Sequence, residues 1–341
     1  MTFKGHLSVI KGDFMDSFLF AIKAVLPIIL TVALGYLLKR AGFMTEDFAK
    51  KANKLVFKVF LPSMLFLNVY KTDLNTFSEL GYILYVLLFT VAVFLVSIPL
   101  VLFVTKKKDR QGPLIQATFR SNFALIGLPL AQALFGQEGV IVASLLSAAT
   151  IPLFNVFAVI SLTVFCDNKQ KISIRNILAG VVKNPLIQSI FIGFVVLVIR
   201  ILFQKFNFDF RISQTPIYTV LGYLSNMATP LALLVLGAQF EFSAVKELKK
   251  EILFGTLMRT VFVPAIAISV ATLFFKNSFS GAHYASFIAV FATPVAVSSV
   301  PMVQEMKGNS TLAGQLVVWT TLTSALTVFI FTFILKHFGF L

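Results

Sequence analysis

The chain has 341 residues, 58% hydrophobic and 13% charged, with a formal net charge of +15. Soluble domains carry about 25% charged residues, and apolar runs of about 18 residues or more recur along the whole length, so the sequence describes a polytopic helical membrane protein. The basic residues sit in short loops between the runs, as the positive-inside rule requires, and not on an aromatic-flanked face that would suit nucleic acid.

Residues 1–16 carry Lys4, Lys11, Asp13 and Asp16 and lack a signal-peptide core, so the first span is expected to direct membrane insertion. Ten spans follow. Span 1 is Phe18–Leu38, span 2 Phe48–Tyr70, span 3 Leu80–Val104, span 4 Leu114–Phe135 and span 5 Val140–Phe165, with a tight turn at Gly136–Gly139 between the last two. A polar linker, Cys166–Asn184, holds an amphipathic patch at Ile174–Val182. Span 6 is Pro185–Phe203, span 7 Pro216–Gln239, span 8 Ile252–Phe275, span 9 Tyr284–Gln304 and span 10 Leu312–Leu335.

Spans 4 and 9 are interrupted. Ser121-Asn122-Phe123-Ala124-Leu125-Ile126-Gly127-Leu128-Pro129 crowds Asn, Gly and Pro into one apolar run. In a helix interior Gly costs about 1 kcal/mol and Pro about 3, so one half-helix is expected to end near Asn122 and a second to begin near Leu128, with Pro129 in its first turn. Thr293-Pro294-Val295-Ala296-Val297-Ser298-Ser299-Val300-Pro301 repeats the pattern: aligning Pro129 with Pro301 places Asn122 over Pro294 and Gly136 over Gly308. Pro62 in span 2 matches Pro230 in span 7, and the distance from Pro62 to Pro129 is close to that from Pro230 to Pro301. Two interrupted spans at corresponding places in two halves point to a transporter's binding site.

Lys and Arg gather in the loops after spans 1, 3, 5, 7 and 9, among them Lys50, Lys106, Lys107, Lys108, Arg175 and Lys250. That side is expected to be cytoplasmic and both termini outside. An odd number of spans per half then inverts the second half relative to the first. The expected fold is all-α, two inverted five-helix repeats, 1–165 and 185–341, around the cytoplasmic linker 166–184.

If the breaks meet at midplane, two half-helix N-termini, near Leu128 and Val300, face one place and form an anion site from backbone N–H groups. The preceding ends, near Asn122 and Thr293, offer carbonyls to a cation or a donor. Candidate substrate-binding residues are Ser121, Asn122, Gly127, Leu128, Pro129, Asn155, Thr293, Pro294, Ser298, Ser299, Val300 and Pro301. The Asn122 amide either donates to a carboxylate or caps freed backbone. Lys54, Lys58 and Arg259 lie deep enough to be charge partners of an anion, whereas Lys23, Arg120 and Arg200 are placed near span ends, where they would snorkel. Asp and Glu fall in loops or at span ends, Glu305 being the nearest to membrane depth, which favours an anionic over a cationic substrate. The single Cys166, with His6, His283 and His337 in loops or tails, suits neither a disulfide nor a metal site. No cofactor is expected, and no constellation suggests an enzyme.

Four stretches stand out in order along the chain: Gly42-Phe43 through Asn53-Lys54-Leu55-Val56-Phe57 to Leu61-Pro62; Ser121-Asn122 through Gly127-Leu128-Pro129 to Phe135-Gly136; Pro230-Leu231-Ala232-Leu233 with Gly237-Ala238; and Ala292-Thr293-Pro294 through Pro301. In these the sequence resembles the auxin efflux carrier family in its bacterial, malate-permease-like form. The resemblance implies a scaffold and dimer surface from spans 1, 2, 6 and 7, a transport domain from spans 3–5 and 8–10 with crossed broken helices 4 and 9, and elevator-type movement of a small organic anion across the bacterial inner membrane, with H+ or Na+ coupling and a homodimer. By position, Asn122, Pro129 and Pro301 would mark the substrate crossing. Thr293-Pro294 departs from the family's usual second break, and the long cytoplasmic loop of the plant carriers is absent. The competing expectations are a sodium-coupled carrier of bile-acid-like anions and a membrane receptor or scaffold that does not transport.

Overall fold

The computed structural model describes residues 26–71, 80–166, 174–205 and 212–341. These form twelve helices: α1 (26–40), α2 (Glu46–Tyr70), α3 (Leu80–Val104), α4 (Lys108–Phe119), α5 (Phe123–Phe165), α6 (Ile174–Val182), α7 (Pro185–Lys205), α8 (Pro216–Ala238), α9 (Ala244–Phe274), α10 (Gly281–Ala292), α11 (Ser299–Glu305) and α12 (Ser310–His337). Seven of them, α2, α3, α5, α7, α8, α9 and α12, are long and apolar enough to cross a membrane. The protein is thus an all-helical membrane protein. The expected start of span 1, with Lys23, lies outside the described residues.

Four π-helical turns share one sequence rule. They are Val56–Phe60, Phe123–Gly127, Met258–Phe262 and Ile288–Ala292, and each is followed by one residue and then a proline: Pro62, Pro129, Pro264 and Pro294. Proline lacks the N–H that would bond the carbonyl four residues back, and its ring clashes with that carbonyl. Widening the preceding turn to i→i+5 bonding removes the clash while keeping the backbone paired. In α2, α5 and α9 the helix then continues. At Thr293 the backbone turns extended (ψ 154°) and α10 ends. The second half of the broken span 4 therefore starts at Phe123, a turn earlier than the expected start near Leu128.

At 43 residues α5 is longer than one crossing requires. It folds back at Phe135–Gly136, where Gly136 adopts φ 59° and ψ −146°, a conformation open to glycine alone. Beyond the fold, Gly139 lies directly against the Ala131 carbonyl. In a straight helix those residues would be about 12 Å apart. The expected turn at Gly136–Gly139 is therefore present, tighter and centred two residues earlier. It divides α5 into a short first limb (123–134) and a long second limb (137–165).

Helix starts also differ from hydropathy. α4 begins at Lys108 and α9 at Ala244, each ahead of its apolar run, through charged turns whose residues pair across the two helices. Arg110 of α4, 6% exposed, is paired with Glu251 of α9 at 3.0 Å and with Glu247, and Thr105 donates to Glu251 at 3.1 Å. Glu251 is thus a buried carboxylate with a cationic partner. At the same end Asn309 Nδ2 donates to Asp109 Oδ2 at 2.9 Å. His283, expected in a loop, is buried in the first turn of α10, where its Nδ1 accepts from Ser280 N–H at 3.0 Å.

The helices pack in two neighbourhoods. α2 contacts α7 and α8, and α1 presses on α8 where Gly35 meets the Leu234 backbone and Gly237 meets the Val32 carbonyl. α3, α4, α5, α9, α10 and α12 pack on one another, and the largest apolar core runs through this group and into α2 and α8. Between the neighbourhoods, Asn53 of α2, fully buried, donates to Gln239 beyond α8 at 3.0 Å and to Gln304 of α11. The close approach of α1 and α8 depends on there being no Cβ at Gly237. Gly237→Ala forces the Val32 carbonyl aside and is expected to cost about 1–3 kcal/mol. Gly222→Ala, on the same helix with open space around it, is expected to stabilise by about 0.5–1 kcal/mol. Thermal unfolding of the two variants in detergent checks the pair; equal melting temperatures would remove Gly237 from the contact.

Candidate functional site

The two breaks meet. Arg120, Ser121 and Asn122 separate α4 from α5, and residues 293–298 separate α10 from α11. They are joined by a short antiparallel bridge, Ser121 to Val295. Asn122 N–H donates to the Pro294 carbonyl at 2.8 Å and Ala296 N–H to the Arg120 carbonyl at 3.4 Å. Val295 N–H donates to Thr320 Oγ1 of α12 at 3.1 Å. Irregular backbone inside a membrane protein survives only when its polar groups are paired internally, and here each break supplies the other's partners. A Cβ on Gly127 would come within 2.7 Å of the Ala289 carbonyl, so this glycine lets the first limb of α5 lie against α10.

The C-terminal ends of α4 and α10 converge on Arg259 of α9. Its side chain is fully buried. Nε donates to the Thr293 carbonyl at 2.9 Å, Nη1 to Phe119 at 3.1 Å and Thr118 at 3.4 Å, and Nη2 to Val290 at 2.6 Å and Phe291 at 2.9 Å. The last carbonyls of a helix have no partner within it, and one guanidinium caps both ends. This is the donor for the carbonyls expected near Asn122 and Thr293. It uses the Thr293 carbonyl, while the Thr293 hydroxyl bonds its own helix at Ala289 (2.8 Å).

Arg120 was expected to snorkel from a span end; the structure corrects this. The helix breaks immediately before it, so its side chain turns into the protein and is 4% exposed. Its guanidinium donates to Asn155 Oδ1 at 2.8 Å and Ser298 Oγ at 2.9 Å, and touches Met302 Sδ at 2.7 Å. Among the described residues no carboxylate lies at ion-pair distance from Arg120 or Arg259. Around the same place, Gln116 Oε1, Ser121 Oγ, Asn122 Nδ2 and Ser299 Oγ are buried without a hydrogen-bond partner.

Of the residues singled out from sequence, Ser121, Asn122, Asn155, Thr293, Pro294, Ser298 and Ser299 come together at the crossing. Asn122 makes no side-chain cap; its backbone carbonyl takes Ile126 N–H at 3.0 Å instead. The N–H groups of Ser299 and Val300 are closed in turns onto Ala296 and Val297, so the free amide end expected at Val300 is not open. The open first turn is Phe123, Ala124 and Leu125 of α5, which has no helical carbonyl behind it. Pro129 lies farther along on an exposed face, and Pro301 is buried within α11. Lys54 and Lys58 lie on an exposed face of α2, away from the crossing. Arg200, partly buried, donates to the Tyr70 carbonyl at 2.9 Å. Sequence reading missed Arg120, Gln116 and Met302. The signal for Arg120 is its position inside the break, two residues before Asn122, and not at a helix end. Beside Val300, a cleft lined by Gln239, Glu241, Ser310, Thr311 and Gln315 has about 20 Å³ of free space, room for a single water.

The sequence pattern of the membrane transport protein family matches residues 20–332. Among curated proteins the chain is similar to an uncharacterized transporter of Methanothermobacter thermautotrophicus, 23% identical, the match covering 91% of this chain and 97% of the relative. It is also similar to an uncharacterized transporter of Methanocaldococcus jannaschii, 27% identical over 73% of this chain and 78% of the relative. The four stretches that carry the auxin efflux carrier resemblance fall within the matched range. The chain therefore belongs to the membrane transport protein family: it is a multi-pass membrane transporter and not an enzyme.

Proposed function

We propose that the protein is a secondary active carrier of a small organic anion, whose carboxylate binds at the crossing of the two breaks. The observation that carries this reading is Arg120, a buried guanidinium held by neutral oxygens and a sulfur. Burying an ion without a counter-ion costs several kcal/mol, and each buried polar atom left unpaired costs about 1–3 kcal/mol. A carboxylate offers about four acceptor sites on two oxygens, which would serve Arg120, Asn122 Nδ2 and the hydroxyls of Ser121 and Ser299 together. The first limb of α5 adds roughly half a positive charge at its N-terminus. A charge-assisted, forked guanidinium contact suits a carboxylate of malate type better than a neutral solute.

In this reading α1, α2, α7 and α8 form the scaffold and dimer surface, and α3–α5 with α9–α12 form the moving domain. α4 with the first limb of α5 measures about 36 Å along its helical parts, enough for one crossing of a bilayer core of about 30 Å. Counted so, the halves 1–165 and 185–341 each make five crossings of inverted sense, with both termini outside the plasma membrane. The packing of the helices into two neighbourhoods supports an elevator-type motion. The cleft beside Val300, lined by residues following α8 and by the start of α12, lies between the two neighbourhoods, where such a motion would widen it.

Uptake into proteoliposomes tests the reading. Arg120→Gln is expected to lower kcat/KM for a dicarboxylate about 10- to 100-fold, the range of a lost hydrogen bond to a charged group, with Arg120→Lys intermediate. Asn122→Ala is expected to lower it by a smaller factor, about 5-fold, from the loss of one hydrogen bond. All three variants should insert in the membrane and elute as the parent protein does. Unchanged uptake kinetics in Arg120→Gln and Asn122→Ala would move the site away from the crossing. A receptor without transport predicts no uptake in any of them.

A further inference from the structure

We infer that Arg259 is a tethered cation seated where a free coupling cation would bind, so that this carrier works without sodium or another alkali cation at its crossing. The inference rests on reading the crossing as the transport site. Five backbone carbonyls from two helix ends, Thr118, Phe119, Val290, Phe291 and Thr293, surround one guanidinium at 2.6–3.4 Å. Rings of carbonyls and half-helix C-termini are the ligands that strip and hold alkali cations in membrane proteins. Each helix end carries roughly half a negative charge, so two converging ends present about one, which the guanidinium matches. Among the described residues no carboxylate shares the contact, so the backbone alone neutralises Arg259. A free cation entering here would meet a like charge already bonded to every oxygen it needs.

Because the cation is covalently fixed, the crossing keeps its C-terminal side neutral through the whole transport cycle. The second positive charge, on Arg120, is then the one left for substrate. Removing the Arg259 side chain vacates a carbonyl-lined cavity with the charge complement of a monovalent cation, and a small soluble cation should refill it.

Two measurements on the full-length protein test the inference. In detergent, Arg259→Ala is expected to melt about 10 °C or more below the parent, as loss of several kcal/mol requires. Guanidinium or methylguanidinium at on the order of 10 mM, far below denaturing concentrations, is expected to restore a large part of that fall by mass action. The parent should not respond. Arg259→Lys, which keeps the charge and three donors, is expected to fall between the two. A variant that melts like the parent, or that neither guanidinium nor an alkali cation rescues, overturns the inference. If Arg259→Ala cannot be purified, anion uptake by the parent decides: equal rates in sodium, potassium and choline buffers support the tethered cation, and a strict sodium requirement overturns it. Absence of anion uptake in every buffer would sink the transport reading while leaving the melting result as the test of Arg259.

Discussion

A membrane helix that stops halfway leaves up to four carbonyls without partners in a medium that supplies none, and this chain stops two helices at the same place. α4 and α10 end within contact of each other, and every arrangement around the crossing depends on what meets their carbonyls. Arg259 does so from a third helix, α9, with a side chain that is planar, always charged and fitted with five donors. Lysine, with three donors on a point charge, could not reach both helix ends at once. The antiparallel bridge between Ser121 and Val295 then has fixed ends to form between, and Gly127 lets the continuing limb lie close to α10.

The two buried arginines have opposite electrostatic surroundings, and that difference carries the functional reading. Arg259 faces helix C-termini, where the backbone supplies negative potential. Arg120 leaves the chain in the break itself and lies among Asn155, Ser298 and Met302, beside the N-terminal turn of α5. Helix N-termini add to a positive charge and do not offset it. One guanidinium is therefore neutralised by helix ends, whereas the other has only neutral partners, and on the proposed reading an anion completes it. The same polarity separates the two sides of the crossing: carbonyls closed by Arg259 on one, and on the other a helix N-terminus beside Arg120, which the proposed reading gives to an anion.

The architecture was legible in the sequence wherever polar or conformationally special residues interrupt apolar runs. Asn122, Gly127 and Pro129, with Thr293, Pro294 and Pro301, mark both breaks, and Gly136 marks the fold-back in α5. What hydropathy could not see were places where charge is buried with a partner. The first turns of α4 and α9 read as loop because Arg110, Glu247 and Glu251 are charged, although the pairing that buries two of them needs both helices in place. Arg120 was misplaced for the same reason: a position near the end of an apolar segment suggests snorkelling, and only the helix break turns the side chain inward. The half-helix starts at Phe123 and not near Leu128, although proline favours a helix's first turn. The π turn at Phe123–Gly127 lets Pro129 follow inside a continuing helix.

Closure at the crossing has a structural counterpart at the boundary between the two helix neighbourhoods. Asn53 on α2 bonds Gln239 beyond α8 and Gln304 on α11, while its own Oδ1 is buried without a partner. Amide-to-amide bonds of this kind are worth about 1 kcal/mol each net of solvent, less than the charged hydrogen bonds inside the α4, α9 and α10 group. A boundary joined by such bonds and by apolar contacts can slide without separating an ion pair. The crossing itself, with five guanidinium bonds on one side and a backbone bridge through its centre, would have to travel as a unit. On the elevator reading, stiffness therefore lies inside the moving domain and weakness along its edge, and the substrate anion at Arg120 is carried with the rigid part.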